Sequence, residues 1–240
     1  MAPSAPATAW AISSGCATCL LAGPPSRIDL DRPTAGIQLW RQGSEPQRLL
    51  GLDVEAACVR RDAWCRGGDV TAVYEPVGGA PLRATAMWRA TPSWCDATFA
   101  PDVWRRELVV SAQTPLLEAT PRIAVTADVA GRNATPLTVR PGGLAAPGPD
   151  EPPHGFLVPG PGDSLLLFLV HPTDARSIDL QTHGDRVRLE ARLFPEAVEK
   201  GVLLRSRVIA AIGTAGGPTI PSWADALASD FVASEPVLTT

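Results

Sequence analysis

The sequence predicts a mainly β fold, an antiparallel β-sandwich with one C-terminal α-helix. Three observations lead there. Short segments alternate apolar and polar residues with the period of two that a half-buried strand requires. The 25 prolines and 21 glycines lie between those segments, where they favour turns and exclude long helices. The chain is 45% hydrophobic and 19% charged, enough apolar material for a core and too little charge for a disordered chain.

Residues 1–25 read as a flexible arm, because they lack periodicity and end in Gly23-Pro24-Pro25. Residues 1–21 hold no basic residue and no apolar run long enough for a secretory signal. Gly15-Cys16 is similar to the end of a lipoprotein cleavage site, but Ser13 and Ser14 precede it and no positive charge does. With no stretch of about 20 apolar residues anywhere, the expectation is a cytoplasmic protein without a membrane partner.

A single sandwich domain is expected over 26–240. Residues 37–40 and 49–54 are short strand candidates. Residues 69–74 place Val70, Ala72 and Tyr74 on one face, and 82–89 place Ala84, Ala86 and Trp88 together. Gly78-Gly79 between them predicts a hairpin. Residues 108–113 and 122–129 repeat the pattern, the second with Ile123, Val125, Ala127 and Val129 facing inward. The Pro- and Gly-rich stretch 131–162 reads as a long loop. Residues 164–170, Ser-Leu-Leu-Leu-Phe-Leu-Val, are apolar on both faces, as a central buried strand would be. Strands follow at 186–193 and 202–212. The helix is expected over 222–233, with Ser222 as N-cap, Asp225 in capping-box position, and Trp223, Leu227 and Phe231 as its apolar stripe.

Charge excludes one class of partner. A net charge of -4 supplies no positive footprint for nucleic acid. Lys200 is the only lysine beside many arginines, a pattern that reads as GC-rich coding in a bacterium.

Four constellations could carry chemistry or recognition. Cys16-Ala-Thr-Cys19 has the gap of a zinc knuckle, and Cys58 and Cys65 could add two thiolates, although their wider gap departs from a zinc ribbon; scattered reduced thiols, some buried as small hydrophobes, are the favoured reading. His171 and Asp174 follow the buried strand, and His183 lies near Asp185, so a hydrolase-type acid/base pair is a second reading. No nucleophile elbow, zinc-protease pair, dinucleotide turn or phosphate loop accompanies them. Seven Trp stand against one Tyr, and Trp64, Trp94 and Trp104 could form a stacking or contact surface or fill the core. Arg186, Arg188, Arg192, Arg205 and Arg207 would share an outward face if the two late strands paired.

Segments 62–70, 86–89, 108–114 and 198–202 resemble uncharacterised proteins of planctomycete-type bacteria; the resemblance implies no activity and no site. The leading expectation is a non-catalytic sandwich that binds a protein or small ligand through Trp64, Trp94, Trp104, Arg188 and Arg207, without a cofactor. A hydrolase using His171 and Asp174, or a small zinc site at the cysteines, is the alternative.

Overall fold

Short alternating strands build two large antiparallel sheets in a computed structural model that describes residues 9–21, 24–40, 45–54, 57–78, 82–90, 102–174, 177–194, 196–217 and 220–234. The chain opens with β1 (Trp10–Ser13), β2 (Cys16–Cys19), β3 (Ser26–Asp29), a 3-10 turn (Pro33–Ala35), β4 (Ile37–Leu39) and β5 (Gln47–Val54). Then come β6 (Cys58–Arg66), β7 (Asp69–Pro76), β8 (Arg83–Arg89), β9 (Trp104–Gln113), β10 (Glu118–Ala119) and β11 (Ile123–Ala130). The second half holds β12 (Thr135–Arg140), β13 (Gly143–Ala145), β14 (Gly155–Pro159), β15 (Ser164–Val170), β16 (Ser177–His183), β17 (Arg186–Leu193), β18 (Val198–Glu199) and β19 (Leu204–Thr214). Helix α1 (Ser222–Ala233) closes the described chain.

One sheet has eight strands in the order β1-β2-β3-β4-β5-β11-β17-β16, and the other nine in the order β13-β12-β14-β15-β19-β9-β8-β7-β6. Strands β10 and β18 pair separately. The inward residues of both large sheets form one apolar cluster that includes Leu52, Val125 and Leu189 from the first and Trp88, Leu108 and Phe168 from the second. Two hydrogen bonds tie the layers across it: Trp88 Nε1 donates to the Leu50 carbonyl at 2.9 Å, and the Tyr74 hydroxyl to the Leu30 carbonyl at 3.0 Å. Bonding these polar tips is what lets large aromatic rings be fully buried.

The outer face of the nine-stranded sheet carries a second cluster. Leu165, Leu167 and Leu169 of β15 and Ile209 and Ala211 of β19 meet Ala224, Leu227, Ala228 and Phe231 of α1. Strand β15 therefore lies between two apolar layers, which is why it is apolar on both faces. Gly213 makes room for Trp223, whose ring would collide with any Cβ there.

Four expectations change. Residues 10–19, read as part of a flexible arm, form the β1–β2 hairpin, turned by Ser14 and Gly15 at φ 48° and 78°. Such paired positive φ values make a two-residue turn that matches strand twist. Trp10 is fully buried, and its indole donates to the Gly68 carbonyl at 3.1 Å. The stretch 131–162 is no loop throughout, since β12, β13 and β14 lie in it. Strands β17 and β19 belong to different sheets and cannot give one arginine face. The helix has the expected bounds, but Pro221 occupies the N-cap position and no side chain caps it. Asp225 instead accepts the Leu144 amide at 2.8 Å, tying α1 to β13. Among the described residues, no helix is long and apolar enough to cross a membrane.

Candidate functional site

Strand alternation decides where each candidate side chain points. In β2, Cys16 and Cys19 are three residues apart and face opposite sides of the sheet, so they cannot close on one metal. Cys19 packs against the inner cluster with Cys58 and Cys65, and burial raises the last two thiols above their ordinary range. Among the described residues, no three His, Cys, Asp or Glu side chains gather for a metal ion. Trp64 and Trp104 also diverge: Trp64 is exposed on the edge strand β6, whereas Trp104 sits on β9 against the inner cluster. Trp94 lies outside the described residues.

His171 and Asp174 form a turn that grips β19. The Asp174 carboxylate accepts the Arg207 amide at 3.0 Å and the Thr173 hydroxyl at 2.9 Å. His171 Nε2 donates to the Val232 carbonyl at 3.4 Å, and Nδ1 lies 2.8 Å from the Thr173 hydroxyl. The ring stands edge-on to Phe231. Burial holds the imidazole below its ordinary pKa, against the opposing pull of Asp174. Both side chains are spent on fixing α1 and β19, and neither faces a described cleft. His183 ends β16 at the exposed Gly184-Asp185 turn, opposite Arg186.

Arg207, expected on a binding face, is buried at 2% exposure. Its Nε donates to Glu107 at 2.7 Å, and its terminal nitrogens donate to the Ser234 carbonyl and hydroxyl at 2.9 and 2.7 Å. Glu107 also accepts from Arg89 at 3.4 Å, and Arg89 donates to Asp69 at 3.2 Å. Because Asp69, Arg89 and Glu107 are direct cross-strand partners on β7, β8 and β9, the four charges form a ladder beneath the end of α1. Burial raises the Asp69 carboxyl pKa, with Arg89 opposing.

Of the expected binding residues that are described, Arg188 lines a cleft. On the outer face of the eight-stranded sheet, Asp53, Ala124, Arg192 and Ser177 align across β5, β11, β17 and β16. The next row is Gly51, Thr126, Glu190 and Asp179, and beyond it lie Arg48, Asp128, Arg188 and Gln181. Arg48 joins this face because β5 carries a bulge opposite Ala127, where Leu49 and Leu50 are both fully buried. The extra residue shifts the alternation and re-aims the side chains beyond it.

Two adjoining clefts open on these rows. One, of about 550 Å³, lies among Asp53, Arg122, Ser177, Glu190 and Arg192. The other, of about 470 Å³, lies among Arg32, Gln38, Arg48, Thr126, Asp128 and Arg188 and shares Asp53. Gly51, in the middle row, is covered by the 3-10 turn, where a Cβ would strike the Thr34 carbonyl oxygen, and Thr34 and Ala35 of that turn line the second cleft. Glu190 lies 3.5 Å from Arg192 and 3.8 Å from Arg188. Asp53 makes no hydrogen bond or ion pair among the described residues. Sequence reading missed Asp53 and Glu190 because each looks like an ordinary solvated residue on the polar side of its strand.

No family model matches the chain, and no curated protein does. Among solved structures, a candidate kojibiose phosphorylase from the human microbiome is similar over 96% of this chain and 37% of its own, at 8% identity and a TM-score of 0.48. A heparinase III gene product is similar over 89% of this chain and 38% of its own, at 11% identity and a TM-score of 0.46. The chain thus spans less than two fifths of either structure, and neither likeness bears on the chemistry of the clefts.

Proposed function

We propose that the chain is a non-catalytic β-sandwich that binds a small, hydroxyl-rich ligand of the saccharide class on the outer face of its eight-stranded sheet. The supporting observation is the contrast between the two outer faces. The nine-stranded sheet buries the outer face of β15 and β19 under α1, whereas the other sheet offers two joined clefts paved with side-by-side carboxylates and guanidiniums. A hydroxyl both donates and accepts, so it can bridge Asp53 or Glu190 to Arg192 or Arg122. A simple cation would meet the arginines, and a simple anion the carboxylates.

The test is saturation-transfer NMR with a panel of neutral mono- and disaccharides, followed by Asp53→Asn and Glu190→Gln. At least one sugar should bind, and each substitution should weaken it about tenfold, the loss expected for one hydrogen bond to a charged group. Both side chains are only partly buried, so thermal midpoints should hold. Absence of binding across the panel, or unchanged affinity in both variants, would overturn the reading.

A further inference from the structure

The second cleft contains a feature that hydroxyl recognition does not use. Arg48 and Arg188 flank Asp128 in register on β5 and β17, an arrangement that should let the carboxylate neutralise one of them. It does not, because Arg186 takes Asp128 from the side: its Nε donates to Oδ1 at 2.8 Å, and its Nη2 to the backbone carbonyl at 3.1 Å. The Arg48 side chain consequently has no hydrogen bond or ion pair among the described residues, and the same is true of the Arg32 side chain. The carboxylate nearest Arg188 in an ion pair is Glu190, at 3.8 Å.

The three guanidiniums that line this cleft, Arg32, Arg48 and Arg188, are matched in number by three carboxylates, Asp29, Asp53 and Asp128. Asp128 is held by Arg186, which also meets Glu45 at 3.4 Å, so the cleft is balanced in charge while the Arg48 side chain stands beside a carboxylate already taken. Guanidinium groups bind carboxylates through paired N–H donors, with geometric specificity that an ammonium lacks.

We infer that Arg48 and Arg188 hold a carboxylate of the ligand, so that the saccharide accepted by the joined clefts is a sugar acid. The inference rests on the saccharide reading of the same face. Its hydroxyls meet Asp53 and Glu190 in the first cleft while its carboxylate is held by the guanidiniums of Arg48 and Arg188 in the second, above the Asp128 carboxylate that Arg186 holds, with Asp53 shared between the clefts.

The experiment is isothermal titration calorimetry of the full chain with two matched pairs of probes, glucose with glucuronate and galactose with galacturonate, at low and high salt. The acid of at least one pair should bind about tenfold or more tightly than its neutral partner, as one or more charge-assisted hydrogen bonds imply. That preference should shrink at high salt. Arg48→Gln with Arg188→Gln should bring the ratio of acid to neutral affinity to within about twofold, since the acid alone carries the group those two side chains hold. Equal binding of acid and neutral sugar, or a preference that survives the double substitution, would overturn the sugar-acid inference and leave the saccharide reading standing. Failure of all four probes to bind would overturn both.

Discussion

Replacing Glu107 by Gln tests the buried charge ladder most directly. The carboxylate is fully buried between Arg207 Nε at 2.7 Å and Arg89 Nη1 at 3.4 Å. Glutamine keeps the shape but offers one acceptor oxygen, and its amide NH2 must point at a guanidinium that has only donors. Removing one partner of a buried ion pair costs about 3–5 kcal/mol, much of it from the charge left behind. The lower end applies here, about 3 kcal/mol, because Arg89 keeps Asp69 and Arg207 keeps the Ser234 carbonyl and hydroxyl. For a chain of this size, that is a fall of about 6–12 °C in Tm. Urea unfolding followed by tryptophan fluorescence should show a lower midpoint with an unchanged slope. A loss below about 1 kcal/mol, the size of an ordinary surface change, would show that the ladder is not held together by Glu107.

Leu227→Ala removes three carbons from a side chain 1% exposed in the second apolar cluster and should cost about 2–5 kcal/mol; an unchanged denaturation midpoint would mean that α1 does not depend on that contact. Gly51→Ala should lower stability and sugar binding together, because the new Cβ displaces the Thr34 carbonyl and lies 2.7 Å from Thr126 Oγ1 in the cleft floor; a variant with wild-type Tm would refute that packing. Burial holds His154 and His171 below their ordinary value of 6.5, so below that pH the unfolded chain takes up protons that the folded chain refuses. Stability should be full above 6.5 and fall as the pH drops through it toward the folded values, with a shallower slope in the His154→Gln, His171→Gln variant; Tm values that stay flat on acidification would refute it.

Elements with clean periodicity were legible in the sequence. The 69–74 and 82–89 hairpin pairs Val70, Ala72 and Tyr74 with Trp88, Ala86 and Ala84, and the double-sided apolar run 164–170 lies inside its sheet. Strand β6 escaped because its bulge between Arg60 and Asp62 moves the inward positions from even to odd numbers, blurring the alternation. Strand β12 escaped because Thr135–Leu137 pair with β14 and Thr138–Arg140 with β13, so neither half shows a full ladder. The candidate site was harder still. Single strands show that Arg48, Arg188 and Glu190 point outward, but only the pairing of β5, β11 and β17, with the bulge at Leu49 and Leu50, places them around one floor. Arg207 shows the converse, an apparently solvated arginine whose counterion lies 100 residues away in sequence.

The double coverage of β15 and β19 divides the molecule by how readily its amides open. Residues Leu166 and Phe168 face the inner cluster while Leu165, Leu167 and Leu169 face α1, so exposing their backbone requires both layers to separate. Their hydrogen exchange should report global unfolding alone. The strands under the clefts have an apolar layer on one side and polar side chains on the other, and β16 is an edge strand. Opening there breaks fewer buried contacts, so the face that carries the clefts belongs to the sheet with local freedom, while the helix-backed sheet serves as its fixed reference.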